Sequence, residues 1–196
     1  MACWWDAGYN QEMSKTNPHA LVLNGASSSG KTTLAHAFLK AAPDYHYLAV
    51  DTHLQLLMEA YQQKYVPILA QSAENKHPLS GYLLHGFVLS FHDLIRTYLQ
   101  AGQNVIVDHV LQEPEWRDDL LQKLAANPVR YVGVFCGLET LEKRERLRRD
   151  REIGLAKIQF NRVHRGMNYA LQIETDKMSP EVCLEQVLSL ARAQAK

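Results

Sequence analysis

Excess charge of either sign is absent: lysine plus arginine number 21, and aspartate plus glutamate number 21. Such a balance gives no global field that would draw the chain to nucleic acid or to an anionic membrane, so partners must be sought at local sites. Cysteine is scarce as well. Cys3, Cys136 and Cys183 lie far apart, with no C-x-x-C and no Cys/His cluster at zinc-ligand spacing. That excludes a disulfide framework or a structural zinc site and suits reduced thiols, hence a cytoplasmic protein. No apolar run reaches the length that crosses a bilayer, and the stretch from Met1 to Asp6 lacks the basic-then-apolar order of a signal peptide. The histidines form no H-E-x-x-H pair, and there is neither an internal repeat nor a low-complexity tract. These absences leave an ordinary globular chain of 196 residues, long enough to bury a core without staples.

Against that background one stretch carries a complete pattern. Gly25-Ala26-Ser27-Ser28-Ser29-Gly30-Lys31-Thr32 fills every required position of the G-x-x-x-x-G-K-[ST] phosphate-binding loop. A short apolar strand, Ala20 to Leu23, precedes it and a helical run from Thr33 to Leu39 follows, the context the motif needs. Gly25 and Gly30 allow backbone conformations in which successive N–H groups face phosphate oxygens at a helix N-terminus. Lys31 is placed to bridge β- and γ-phosphates and the Thr32 hydroxyl to ligate Mg²⁺; the residues of the loop from Gly25 to Thr33 form the expected nucleotide site. A serine-rich turn ending by chance in Gly-Lys-Thr is the competing account, and the flanking strand and helix weigh against it.

The rest of the chain alternates strands and helices. Residues 1–18 read as an irregular leader and residues 19–196 as one domain. Strands are expected at Tyr45 to Val50, Asn104 to Asp108, Val129 to Phe135 and Tyr169 to Glu174. Helices are expected from Thr52 to about Tyr61, Tyr82 to Gln100, Trp116 to Ala126, Leu138 to Arg149 and Pro180 to about Ala195. Gln62 to Gly81 is irregular and a candidate cap over a substrate, and Asp150 to Gln159, with Gly154, reads as a break. Such alternation predicts an α/β fold with a parallel sheet covered on both faces, whose ligands collect at the carboxyl ends of the strands.

Asp51 and Asp108 both close apolar strands and should converge on the loop. Asp108 suits the magnesium shell with Thr32, or caps a turn. Asp51 suits a general base that accepts the proton of an attacking hydroxyl, or caps a helix, and one residue can do both. His109, next to Asp108, is a candidate to face the substrate; His164 and Tyr169 are weaker ones, and Cys136 reads as core. Arg144, Arg148 and Arg151 fall on one helix stripe, diluted by Glu142, Glu145, Asp150 and Glu152. A closing lid at about 144–159 is favoured over a solvated face, and a nucleic-acid patch over neither.

Several of these segments together resemble the chloramphenicol phosphotransferase-like family of P-loop kinases. The matching pieces are Leu21 to Lys31, Val50-Asp51, Gly102 to Val110, Tyr131 to Cys136, and Arg144-Glu145, Arg148, Asp150-Arg151, Gly154 and Gln159, with a weaker match through Val163 to Gly166 and Tyr169 to Thr175. The resemblance implies a three-layer nucleotide-kinase-like fold on a five-stranded parallel sheet, and transfer of the ATP γ-phosphate to a hydroxyl of a small molecule, an antibiotic in the family's name. By that likeness Asp51 matches the family's proposed base, Lys31 and Arg148 join it as catalytic residues, and Arg144, Arg148 and Arg151 lie near or in the lid. Where the family often has paired acids this chain has Asp108-His109, and Gln62 to Gly81 has no match. ATP, Mg²⁺ and a small hydroxylated acceptor are the expected partners, with no nucleic acid, no membrane and a homo-oligomer left open. A metabolite, sugar or nucleotide kinase shares all these features. An ATP-dependent switch also remains open, though its guanine-nucleotide version is excluded because Asn75-Lys76 is followed by His77-Pro78 rather than the N-K-x-D pattern.

Overall fold

The computed structural model describes residues 18–57, 59, 78–148 and 153–194. Trp4, Trp5 and Cys3 of the expected leader, residues 62–77 of the expected cap, and Arg151 lie outside them. Five strands make one sheet: β1 Ala20–Asn24, β2 Tyr45–Ala49, β3 Asn104–His109, β4 Val129–Phe135 and β5 Leu171–Glu174. Their spatial order is β2-β3-β1-β4-β5 and every pairing is parallel, as the alternation of strands and helices requires. The helices are α1 Lys31–Ala41, α2 at 50–57, α3 Pro78–Gln100, α4 Pro114–Leu124, α5 Leu138–Leu147, α6 Leu155–Phe160 and α7 Pro180–Gln194.

The period of two along each strand divides the core into two layers. Ala20, Val22, Val105 and Val107 face one side, where they meet Phe91, Ile95 and Leu99 of α3 and Leu120 and Leu124 of α4. Leu21, Leu23, Ile106, Val132, Val134 and Ile173 face the other, against Leu34 and Phe38 of α1 and Val187 and Leu188 of α7. The spacing of Val88, Phe91, Ile95 and Leu99 keeps one stripe of α3 on the sheet. Phe91 is fully buried, and truncating such a ring to alanine costs about 3–5 kcal/mol.

Several boundaries shift by one to four residues from the sequence reading: β2 ends at Ala49, so Asp51 falls in the first turn of α2, and β3 runs on to His109. Three further differences have a local reason. α3 begins at Pro78 rather than Tyr82, since proline is tolerated in a first turn where its missing N–H has no partner to lose. The expected break at Asp150 to Gln159 contains α6: Gly154, taken as a breaker, is that helix's N-cap. β5 starts at Leu171, because Tyr169 turns its hydroxyl to Asn24 and His164 before the ladder begins.

Candidate active site

β1 delivers the chain to the loop, and two glycines are needed for different reasons. A Cβ on Gly25 would stand 2.4 Å from the carbonyl oxygen of Val134, so only glycine lets β1 run past β4 there. Gly30 has φ 96°, a left-handed turn that swings the chain into α1. Ser28 also has positive φ, 65°, which is rare for a residue with a side chain. Inside the loop, the hydroxyls of Ser28 and Ser29 are buried and have no hydrogen-bond partner among the described residues. Buried polar atoms seldom go unpaired; Ser28 lines the cavity, whereas the Ser29 hydroxyl lies beside Gly25 and Ser29 does not line it.

At the start of α1 the charged groups close on one carboxylate. The Thr32 hydroxyl donates to Asp108 Oδ2 at 2.7 Å, and Tyr47 adds a longer bond to the same oxygen at 3.3 Å. Lys31 Nζ stands 3.7 Å from Asp108 Oδ1 and donates to the Ala26 carbonyl at 3.0 Å. Burial, and next the negative Asp108, push the Tyr47 phenol above its usual range, so it stays a neutral donor. Asp51, in the first turn of α2, is exposed and lines the same cavity of about 580 Å³ as Lys31, Thr32 and Asp108. That volume lies in the range of small-molecule sites. Leu34, Leu147, Met178, Pro180 and Cys183 give the cavity an apolar wall.

The two arginines of the stripe within the described residues do different things. Arg144 is occupied at the loop's back: it donates to both the hydroxyl and the carbonyl of Thr175 at 3.0 Å and to the Ser28 carbonyl at 3.4 Å. Arg144 still lines the cavity, as do Thr33 and Arg148, the exposed C-cap of α5. Ala26 and Ser27 are buried and do not line it; the Ser27 N–H donates to Gln159 Oε1 at 2.7 Å.

His109 does not line the cavity. It is fully buried on the opposite face of β3 from Asp108, where its Nε2 meets His92 Nε2 at 2.8 Å, and His92 Nδ1 meets Asp119 at 2.6 Å. Val110 N–H donates to His109 Nδ1, so His109 carries its proton on Nε2 and donates it to His92, which in turn donates through Nδ1. The reading of His109 as a residue facing the acceptor is therefore at odds with its place. His164 and Tyr169 brace the exit of β1 instead. Asn24 donates to the Tyr169 hydroxyl, Tyr169 bonds His164 Nδ1, and the imidazole stacks on Phe135. Burial, then nearby Lys31, lowers His164 to about 4. Burial likewise raises the Cys136 thiol, which packs with Ala26 and Leu141 as a core residue. Tyr47, Thr175 and Gln159 are the partners that sequence reasoning assigned no role.

A family model for chloramphenicol phosphotransferase-like proteins matches residues 19–192. The chain belongs to that family. A protein of Mycobacterium tuberculosis H37Rv, provisionally named an O-phosphotransferase, is 31% identical over 168 residues, which span 79% of this chain and 74% of the relative. A sugar kinase from Janibacter sp. HTCC2649 has a TM-score of 0.62 at 19% identity and covers 92% of this chain and 99% of its own. The APS kinase of M. tuberculosis, solved in complex with AMPPNP and APS, has a TM-score of 0.59 at 16% identity, covering 90% and 99%. At these identities the two structures speak to the fold alone, which is the P-loop kinase fold read from the sequence. As a member of the chloramphenicol phosphotransferase-like family, the chain is a small-molecule kinase. No helix among the described residues is long and apolar enough to cross a membrane.

Proposed function

We propose that this kinase transfers the γ-phosphoryl group of ATP to a hydroxyl of a small acceptor, with a hydroxylated antibiotic of the kind that names the family as the leading candidate. The observation that carries the reading is the meeting of Lys31, Thr32, Asp108 and Asp51 on one cavity beneath the loop. The unpaired Ser28 hydroxyl suits a phosphate oxygen, and Lys31 supplies the charge that the β- and γ-oxygens need. The Thr32 hydroxyl and Asp108 carboxylate are hard oxygen donors 2.7 Å apart, a pair suited to Mg²⁺, which when bound neutralises charge on the transferring group.

In the reaction proposed here, the acceptor oxygen forms its bond to the γ-phosphorus as the bond to the β–γ bridging oxygen breaks. The hydroxyl proton passes to Asp51, and ADP leaves with the bonding pair. Arg148, exposed at the end of α5, is the described arginine placed to add charge as a lid of about 144–159 closes; Arg151 is assigned there by the family likeness alone. Holding the acceptor beside a water-poor phosphate site limits wasteful hydrolysis.

An ATP-consumption screen over hydroxylated antibiotics, sugars and other metabolites, with mass spectrometry of each hit, names the acceptor. Asp51→Asn should lower kcat by about 10²–10⁴-fold while ATP binding stays intact, the mark of a base that acts in the chemical step. Normal turnover in that variant would remove Asp51 from the base role. Phosphorylation of a sugar with no antibiotic turned over would move the enzyme to the metabolite-kinase reading. ATP-dependent capture of a protein, with no acceptor phosphorylated, would make it a switch.

A further inference from the structure

Three consecutive serines of the loop are fastened from outside. The Ser27 N–H is held by Gln159, the Ser28 carbonyl by Arg144, and the Ser29 carbonyl by the Thr175 hydroxyl at 2.7 Å. Gln159 lies 132 positions along the chain from Ser27, yet it acts on the charge that matters through a single peptide unit. A trans peptide is planar, and its N–H and C=O point in opposite directions. The N–H of Ser27 and the carbonyl of Ala26 belong to one such unit. Gln159 Oε1 takes the N–H on one side, and Lys31 Nζ takes the carbonyl on the other at 3.0 Å.

We propose that Gln159 is a positioning residue for Lys31: by holding the Ala26–Ser27 peptide in one orientation, it sets the carbonyl against which the phosphate-binding lysine is parked. The inference rests on the kinase reading of the loop. The bond is well protected, since Ser27 is 1% and Gln159 6% exposed. The Ala26 carbonyl also accepts the Ser29 N–H at 3.2 Å, a longer bond than the one Gln159 makes. A buried N–H without an acceptor is costly, so loss of the Gln159 oxygen favours tilting of the peptide and shifts the Ala26 carbonyl from Lys31. Gln159 is itself held in register. Glu145, 1% exposed on α5, accepts the N–H groups of Gly154 and Ala156 at 2.8 and 2.9 Å and so pins the first turn of α6. A neutral amide suits the position, because it accepts the N–H without setting a negative charge beside a triphosphate. The arrangement makes α6 part of the phosphate site although none of its side chains lines the cavity.

A double-mutant cycle with Gln159→Met and Lys31→Met, read by calorimetric binding of ADP and of adenosine, tests the proposal. Methionine keeps much of the volume and removes the acceptor oxygen; Gln159→Ala is the second variant, and thermal melting checks that each is folded. Gln159→Met should weaken ADP about tenfold, leave adenosine within about twofold, and cost less than about twofold when Lys31 is already methionine, because coupled residues are non-additive. Unchanged ADP affinity in folded Gln159→Met, an equal loss for adenosine, or a full additional loss on Lys31→Met would overturn it. Wild-type protein that bound no ADP would overturn the kinase reading and this inference together.

Discussion

Asp108 and His109 are neighbours on β3, both buried, and they do opposite work. Asp108 turns toward α1 and β2, where Thr32, Lys31 and Tyr47 surround its carboxylate. His109 turns toward α3 and α4, where it joins His92, Asp119 and, through Asp119, Lys123. One residue of displacement along a strand exchanges the face of the sheet, so adjacency in sequence at a strand end places only one of two polar groups in the site. The first cluster is open to the cavity and poised for ligand; the second is closed, with each nitrogen of both imidazoles paired.

The sharpest way to break this contrast is Asp108→Asn, which keeps the shape and removes the charge opposite Lys31. Phosphate transfer should fall about 10²–10³-fold in steady-state assays, with melting temperature little changed. Turnover near wild type would mean that the carboxylate serves only to cap the following turn.

The histidine pair should register in stability rather than chemistry. Burial lowers both His92 and His109, and for His109 the proximity of His92 and then Lys31 adds to the effect; Asp119 and Asp93 oppose it at His92, with Lys123 against them. With folded values below the ordinary 6.5, the unfolded chain binds protons that the native chain refuses. Stability is thus fully present above about pH 6.5 and is lost as pH falls toward the folded values, with a slope of up to about 1.4 kcal/mol per pH unit for each histidine. Urea midpoints measured from pH 7.5 to 5 should fall more steeply for wild type than for His92→Gln. Parallel curves would show that the pair does not govern acid sensitivity.

The smallest expected effect belongs to Tyr47→Phe, which removes the 3.3 Å bond to Asp108 and leaves the stronger Thr32 bond. Activity should drop about threefold, with a matching rise in the Mg²⁺ concentration needed for half-activation, as befits loss of one long neutral hydrogen bond. A loss as large as that of Asp108→Asn would place the phenol in the chemical step itself.

The loop was readable because its chemistry tolerates few spellings: Gly25 must lack a side chain beside Val134 and Gly30 must take a left-handed turn. The strands were readable because both faces of the sheet are covered, which leaves apolar runs such as Val105-Ile106-Val107. Gly154 reads as a stop because glycine ends helices more often than it precedes them; here its N–H and that of Ala156 donate to Glu145, far from it in the linear pattern, where α6 starts. Gln159 stands out in the sequence only as a position of the family likeness, with no role attached, since its partner Ser27 lies 132 positions away. Tyr47, an ordinary residue of β2, and Thr175, the first residue past β5, were hidden for the same reason until the sheet brings them to the loop. His109 could have been placed by counting: in a strand whose neighbouring aspartate enters the site, the next side chain points away.

The apolar wall of the cavity has a calorimetric consequence. Leu147 is 74% exposed and lines the cavity with Met178, Pro180 and Leu34, an apolar surface that a nucleoside bound there would cover. Covering such a surface lowers the heat capacity of the system, so the enthalpy of nucleotide binding should grow more negative as temperature rises. The phosphate loop contributes little to that slope, because its gain is polar. A temperature series with ADP against inorganic pyrophosphate would therefore read the apolar wall of the cavity separately from the polar loop.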